Sequence, residues 1–286
     1  MRVALAVVIP AGPADDILDT VESVLAYTEP PRLVVVVDDT GRDLAGTLQS
    51  MSEDVEVLPP PPGRQGWNAR IWLNVAIGYR HAVSTATFDV LLRLDADALM
   101  IGPGLVEAAA ERFARDQRIG MLGSSRLGMD GGARDLSWPA AALKRECGLR
   151  GLNRPVMRRG LRALRREARK HGYEDGEHAL GAAYLQPGAA VRAIADRGWL
   201  ELAGLERTSL ADDHLFGLMT VAAGFRIAEF GGPDDPLALG WKTLPASPAE
   251  LLARGKLATH SARGWADLDE REVRAQFRRA REARPA

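Results

Sequence analysis

Short apolar runs alternate with amphipathic helical patterns through the first 125 residues of this 286-residue chain. This alternation is typical of right-handed βαβ units, which build a largely parallel sheet with helices on both faces. Strands that are covered on both faces are apolar throughout, and several runs have that character. We predict strands over residues 3–9, 33–37, 55–58, 90–94 and 119–122. The chain is therefore expected to fold as an open α/β domain.

Helical patterns fill the segments between and after these strands. Asp15 and Asp16 can cap the first helix, because aspartate accepts hydrogen bonds from the free amides of a helix start. Later helices are predicted over residues 68–84, 103–116 and 155–170. The pattern over residues 268–284 predicts a charged helix on the surface.

The regular alternation fades after about residue 125. We therefore predict one continuous domain with two halves, residues 1–125 and residues 126–286. The second half is expected to be less regular and to pack on the same sheet. It includes a basic helical insertion at about residues 140–172.

Composition limits the partners of the chain. The formal net charge is −1 and the isoelectric point is near 6.5, so no global charge attracts nucleic acid or an anionic membrane. Cys147 is the only cysteine, which excludes an intrachain disulfide and gives no sign of an oxidising compartment. No run approaches the roughly 18 to 20 apolar residues that span a bilayer. We expect a cytoplasmic protein without transmembrane segments or a nucleic-acid partner, in which any membrane contact is peripheral.

Carboxylates follow two of the predicted strands. Asp95 and Asp97 come directly after the fourth strand, Asp38 and Asp39 end the second, and the small Ala11 follows the first. The carboxyl ends of parallel strands meet at one edge of an open sheet, where such folds bind ligands. Two carboxylates one residue apart can hold a hydrated divalent cation against a diphosphate. The alternative for this pair is a helix cap and a solvated turn.

The order of these and further motifs resembles that of the GT-A glycosyltransferases, most closely the inverting family-two group. The resembling segments are residues 7–10, 34–39, 68–82, 91–97, 181–185, 210–215 and 258–261. The resemblance implies a Rossmann-like α/β sheet and transfer of a sugar from a UDP-, GDP- or dTDP-sugar donor to an acceptor hydroxyl, with inversion. It also implies a divalent metal cofactor, Mn²⁺ or Mg²⁺. By the same resemblance, residues 1–125 would be the nucleotide-sugar-binding half and residues 126–286 the acceptor-binding half.

The resemblance also implies roles for residues near the donor. Asp39, or else Asp38, would contact the nucleoside. Asp95 would lie near the ribose or a metal-bound water, and Asp97 would bind the metal. The remaining donor contacts that it implies are Pro10, Ala11, Arg70, Asn74, Ala96 and Arg263. Arg70 is equally consistent with an ordinary exposed arginine, and Asn74 with an asparagine inside a helix.

Asp212 and Asp213 correspond to the family's acidic pair at the start of a helix. A helix N-terminus favours the ionised form of a carboxylate, so Asp213 is the candidate general base. Glutamate is commoner in the family at the position of Asp212, so Asp212 remains a second candidate for the base. The alternative is a helix cap at Asp212, with Asp213 stabilised by the helix dipole.

His260 follows the last motif, and by the resemblance it would lie near the donor diphosphate or the metal. A neutral imidazole suits Mn²⁺ better than Mg²⁺, which prefers oxygen ligands. A purely structural histidine is the alternative interpretation.

Two other functions stay open. A sugar-1-phosphate nucleotidyltransferase shares the fold and the use of a metal, but it normally carries a glycine-rich loop after the first strand, which this chain lacks. A non-catalytic nucleotide-binding module of the same fold is the other alternative.

The segment from Lys144 to Lys170 contains 11 basic residues against two glutamates. A solvated helix face explains this pattern. The alternative is a surface that docks on an anionic membrane or binds a phosphorylated or lipid-linked acceptor.

Overall fold

The fold is described by a computed structural model that covers residues 1–12, 17–62 and 67–284. The strands are β1 (Arg2–Pro10), β2 (Arg32–Val37), β3 (Val55–Leu58), β4 (Thr87–Leu94), β5 (Leu99–Met100), β6 (Ile119–Gly123), β7 (Ala183–Pro187), β8 (Arg226–Glu229), β9 (Leu237–Leu239), β10 (Ala258–His260), β11 (Gly264–Trp265) and β12 (Leu268–Asp269). The α-helices are α1 (Ile17–Tyr27), α2 (Ala45–Gln49), α3 (Trp67–Thr85), α4 (Leu105–Arg115), α5 (Ser137–Cys147), α6 (Pro155–Lys170), α7 (Gly188–Asp196), α8 (Asp212–Ala222), α9 (Pro248–Ala253) and α10 (Glu270–Glu282).

Seven strands form the central sheet, in the order β3-β2-β1-β4-β7-β6-β8. β1 pairs in parallel with β2 and β4, β2 pairs in parallel with β3, and β6 pairs in parallel with β8. Among the strands that the structure describes in this sheet, β7 alone runs antiparallel to its neighbours, β4 and β6. The predicted fold class, an open and mostly parallel α/β sheet, is confirmed.

Successive residues of the central strands pack on opposite faces of the sheet, as the period of two in a strand requires. Leu33 and Val35 of β2 join the hydrophobic cluster that includes α3 and α8, whereas Val34 and Val36 join the cluster that includes α1 and α4. Both faces are therefore covered. This is why the strand has no polar side and why its sequence shows no alternation.

A small second sheet, β5-β10-β9, lies beyond the end of β4. β10 pairs antiparallel with β5 and parallel with β9. The amide of Ala262 donates to the carbonyl oxygen of Asp97, at 2.8 Å, which ties the residues after β10 to the segment between β4 and β5. His260 at the end of β10 is thereby brought beside the carboxylates that follow β4.

The predicted helices agree with the structure to within a few residues. The pattern over residues 103–116 forms α4, and the pattern that begins at Pro155 forms α6 with the predicted end at Lys170. Asp15 and Asp16, the predicted caps of the first helix, lie outside the described residues. No helix in the described ranges is both long enough and apolar enough to cross a bilayer.

The C-terminal helix α10 differs from the charged surface helix that the sequence predicts. It buries Val273 and Phe277, and its Arg274 is only 1% exposed. The Arg274 guanidinium donates to Oδ2 of Asp19 at 3.3 Å and to the carbonyl oxygen of Ala96 at 3.2 Å. The helix therefore holds the loop between Asp95 and Asp97 through the backbone of Ala96.

Asp19 of α1 is the anchor of this contact. Its buried carboxylate also accepts hydrogen bonds from Arg281, at 2.7 Å, and from Arg278, at 3.3 Å. The neighbouring Thr20 hydroxyl donates to the Ala96 carbonyl at 2.7 Å. Helices from the two ends of the chain are thus joined through one charged cluster beneath the 95–97 loop.

We expect Asp19→Ala to lower the free energy of unfolding by about 3–5 kcal/mol, because it removes the buried carboxylate that Arg274, Arg278 and Arg281 share. Glu22→Ala is the matched control, since Glu22 also contacts Arg281 but its side chain is 49% exposed. That change should cost about 1 kcal/mol or less. Urea unfolding followed by circular dichroism measures both. Equal effects of the two substitutions would contradict the anchoring role of Asp19.

Candidate active site

A cavity of about 290 Å³ opens at the carboxyl edge of the central sheet. The ends of β1, β4 and β10, the segment before β7 and the N-terminus of α8 form its wall. The predicted site residues that line it are Pro10, Ala11, Asp39, Asn74, Asp95, Ala96, Asp97, Asp212, Asp213, His260 and Arg263. Residues that are far apart in the chain therefore share one space.

Asp95, Asp97 and His260 form a cluster at which one ligand atom from each residue lies within 4.8 Å of the others. Nε2 of His260 is 3.2 Å from an oxygen of Asp97 and 3.8 Å from an oxygen of Asp95. Nδ1 of His260 lies 2.6 Å from the carbonyl oxygen of Gly240. That carbonyl requires a proton on Nδ1, so Nε2 is the ring nitrogen that faces the carboxylates.

The charges of this cluster are set by burial and by its neighbours. Burial alone would raise the pKa of Asp97, but the hydrogen bond and charge of His260 and the charge of Arg263 outweigh it and hold that pKa well below its usual range. Burial raises the pKa of Asp95, against the lowering effect of Arg93. Burial would lower the pKa of His260, but the hydrogen bond and charge of Asp97 raise it.

The donor set of this cluster fits a divalent cation. Two carboxylates and one imidazole are ligands that Mn²⁺ accepts readily, whereas Mg²⁺ would rely on the carboxylates and water. The hydroxyl of Ser261 donates to Asp97 at 3.0 Å, and Nε of Arg263 lies 2.7 Å from the same oxygen. These outer groups orient the carboxylate, which is the usual role of the groups around metal ligands.

Arg93 connects this cluster with the acidic pair on α8. Its side chain is 1% exposed, and Nη1 lies 2.6 Å from an oxygen of Asp95. Nη2 and Nε lie 2.9 and 3.1 Å from Oδ2 of Asp212, and Nη1 also donates to the carbonyl of Gly181. The neighbouring carboxylates outweigh burial and raise the pKa of the Arg93 guanidinium. One buried cation therefore fixes the spacing between β4 and the start of α8.

Asp213 lies next to this ion pair and is 7% exposed. Its two oxygens accept backbone hydrogen bonds from Gly181, at 2.9 Å, and His214, at 2.8 Å. A side chain at position 181 would press on the carboxylate, since a Cβ there would lie 3.1 Å from atoms of Asp213. Glycine therefore permits this close approach.

The pKa values of the two aspartates of α8 shift in opposite directions. Burial raises the pKa of Asp212 to about 7, because desolvation and the nearby carboxylates outweigh the attraction of Arg93. Burial acts in the same direction on Asp213, but the charges of His214, His178 and Arg93 outweigh it and lower the pKa to about 2. Asp213 is therefore a carboxylate at neutral pH.

His178, Asp213 and His214 also bring ligand atoms within 4.8 Å of one another, but their hydrogen bonds oppose a metal ion. Nδ1 of His178 lies 2.8 Å from a backbone carbonyl oxygen and so donates, which leaves Nε2 to accept from Arg134 at 3.0 Å. Burial lowers the pKa of His178 to about 4, so the ring is neutral. The Arg134 cation occupies the direction that a metal would need. His178 and His214 therefore lie beside the Asp213 carboxylate as its neighbours, with ring nitrogens 3.8 and 3.2 Å from its oxygens.

Asp39 and Asn74 also line the cavity. Nδ2 of Asn74 donates to an oxygen of Asp39 at 2.6 Å, and both side chains are buried. Asp38 lies outside the cavity wall, because its carboxylate accepts hydrogen bonds from Thr40 and from the backbone of Leu44 and so closes the loop after β2. The side chain of Arg70 is outside the described part of the chain.

Several residues that shape the site were not singled out in the sequence. Arg93 had a signal, since an arginine inside an otherwise apolar strand must find buried partners. Gly181 lies in one of the resembling segments, but its contact with Asp213 was not predicted. His178 and Arg134 had no signal, because their relation to Asp213 depends on the packing of separate loops.

A family of known proteins matches most of the chain. The family described as "Glycosyltransferase like family 2" matches residues 2–233. No curated protein matches the chain. A solved structure to which the chain is similar is the crystal structure of S. aureus TarS 1-349, with 15% sequence identity and a TM-score of 0.46. The match covers 80% of this chain and 58% of that chain.

The family match extends over both halves of the central sheet and includes the acidic residues after β4 and at the start of α8. His260 and Arg263 lie beyond the matched segment, so their place in the cavity is known from the structure alone. The chain therefore belongs to glycosyltransferase family 2, as its motifs predicted.

Proposed function

We propose that this glycosyltransferase moves a sugar from a UDP-, GDP- or dTDP-sugar to an acceptor hydroxyl with inversion, and that it uses Mn²⁺ or Mg²⁺. One observation carries the proposal. The metal-ligand cluster at Asp97 and the ionised carboxylate of Asp213 line the same cavity. A metal-assisted inverting transfer uses both groups, one for the departing diphosphate and one for the attacking hydroxyl.

Asp95, Asp97 and His260 would hold the metal, which would supply the positive charge that stabilises the departing diphosphate. Arg263 would add charge on the same side, since its half-exposed guanidinium already lies against Asp97. Asp213 would accept the proton of the acceptor hydroxyl as that oxygen attacks the anomeric carbon.

The part of the cavity wall formed by Asp39 and Asn74 is the proposed nucleoside site. Asp39 and Asn74 are buried polar side chains on the cavity wall, and Oδ1 of Asn74 has no hydrogen-bond partner among the described residues. A buried acceptor without a donor is costly unless a ligand supplies one. We infer that ribose hydroxyls or base N–H groups fill this role, with Pro10, Ala11 and Ala96 as the adjoining wall.

The other two functions considered from the sequence are less well supported. A nucleotidyltransferase is not favoured by the family match. A non-catalytic binding module would have no use for an ionised Asp213 that is held by two backbone amides at the edge of the cavity.

Asp213→Asn should lower kcat by roughly 10²- to 10⁴-fold, the usual contribution of a positioned base. The amide keeps the shape of the side chain, so binding of the donor nucleotide should stay near that of the unaltered enzyme. Release of nucleoside diphosphate from each candidate donor measures the first, and calorimetric titration measures the second. Turnover close to that of the unaltered enzyme would remove Asp213 from the role of base.

The dependence of kcat/KM on pH separates the two aspartates as candidates for the base. With Asp213 as base and a pKa of about 2, its ionised fraction is constant from about pH 8 to about pH 5, so this group causes no acid-side loss of rate. With Asp212 as base and a pKa of about 7, the rate would fall about tenfold per unit below neutral pH. Rates at saturating Mn²⁺ measure this, and we expect no such fall.

Asp97→Asn should weaken Mn²⁺ binding by roughly 10-fold or more, because it removes a charged ligand. Asp267→Asn is the matched control, since Asp267 begins the chain's other Asp-x-Asp sequence and is exposed. Calorimetric titration of Mn²⁺ into each variant measures the effect, and the control should bind like the unaltered protein. Equal Mn²⁺ affinity of all three proteins would exclude Asp97 as a ligand.

A further inference from the structure

We propose that an exposed face formed by Leu149, Leu152, Val156, Arg159, Arg162 and Arg166 docks this protein on an anionic phospholipid membrane. We call these six residues the docking face. It lies on α6 and on the short turn before it, outside the cavity described above. Docking does not rest on the proposed glycosyl transfer, so the two can fail separately.

The apolar part of the docking face is unusual for this chain. Leu149, Leu152 and Val156 are 83%, 57% and 59% exposed. The other large apolar side chains that are exposed among the described residues are Met1, Trp138 and Trp241. Half of this set therefore falls within eight consecutive residues. Apolar side chains that cluster in this way on a surface mark a site of interaction with a protein or a membrane.

The charged part lies directly beside it. Arg159, Arg162 and Arg166 are spaced three and four residues apart and so project from one face of α6, opposite the buried Met157 and Leu161. All three guanidinium groups are exposed, and none makes an ion pair within the described ranges. The neighbouring arginines differ, since Arg165 and Arg169 both pair with Asp175, at 2.5 and 2.8 Å.

A shallow groove of about 360 Å³ joins the two parts. Its walls include Leu152, Pro155 and the three unpaired arginines of α6. Apolar and cationic groups are thus within reach of a single ligand surface, rather than on separate sides of the protein.

The combination favours a membrane over the other polyanions. Arginines alone would suit nucleic acid, whose contacts with basic proteins are dominated by phosphate. Exposed leucines beside them gain nothing from a phosphate backbone, whereas they can enter the boundary between headgroups and acyl chains. The net charge of −1 gives the whole chain no attraction to an anionic surface. The attraction must therefore come from this face.

The segment that carries the docking face is joined to the chain before α8. Nη1 of Arg154 donates to the carbonyl oxygen of Arg207 at 2.5 Å, and Glu146 accepts from the amide and hydroxyl of Ser209 at 3.1 and 2.7 Å. These contacts hold the segment against the rest of the fold.

The test is cosedimentation of the full chain with vesicles of phosphatidylcholine mixed with phosphatidylglycerol, and with vesicles of phosphatidylcholine alone. We expect binding to the anionic vesicles that weakens as salt is raised, and little binding to the neutral ones. The triple variant R159Q/R162Q/R166Q should bind roughly 100-fold more weakly, since each basic residue near an anionic surface contributes about fivefold. L149S/L152S/V156S should also lose binding.

R254Q/R271Q/R279Q is the charge-matched control, because it removes three exposed arginines, one directly after α9 and two in α10. It should bind vesicles like the unaltered protein, and thermal unfolding should show that every variant is folded. Absence of binding to anionic vesicles at low salt would overturn the proposal. So would an equal loss in the control. If L149S/L152S/V156S bound anionic vesicles as well as the unaltered protein did, and the unaltered protein bound DNA as tightly as it bound vesicles, the proposal of a membrane would be wrong. The face would then bind polyanions in general.

Discussion

The buried Arg93 guanidinium is the interaction on which the geometry of the site depends. It stands inside β4 and holds Asp95 on one side and Asp212 on the other. Without it, two carboxylates from distant parts of the chain would be buried close together, at a cost of several kcal/mol. With it, the metal-ligand cluster and the acidic pair of α8 are fixed at one separation. The ion pairs of Arg93 with Asp95 and Asp212 therefore hold these two parts of the cavity wall together.

The C-terminal region completes this arrangement from two sides. β10 delivers His260 to the carboxylates, and Arg274 of α10 holds the backbone of Ala96 between them. Both residues lie beyond the segment that matches the family. The 95–97 loop is therefore held by His260 of β10 at Asp97 and by Arg274 of α10 at the backbone of Ala96. Such contacts matter, because side chains that bind a ligand must be held in a fixed geometry by the residues around them.

The sequence predicted five of the seven strands of the central sheet and much of the cavity wall, because these follow from local patterns, whereas β7 and β8 were not predicted. Continuous apolar runs identified β1, β2 and β4, and their polar ends indicated where Asp39 and Asp97 would meet. The small sheet was missed, since strands of two or three residues carry no periodicity. Arg274 was taken for part of a surface helix, because burial of an arginine depends on partners such as Asp19, 255 residues away in the chain.

The central claim is that Asp97 and Asp213 act in one cavity on one donor, with a metal between Asp97 and the diphosphate. The most direct measurement is anomalous diffraction at the manganese edge from crystals grown with Mn²⁺ and a nucleoside diphosphate. The account predicts one peak bonded to Asp97 and His260, with the nucleoside extending toward Asp39 and open space for an acceptor in front of Asp213. A manganese peak elsewhere, with the nucleotide outside this cavity, would contradict it.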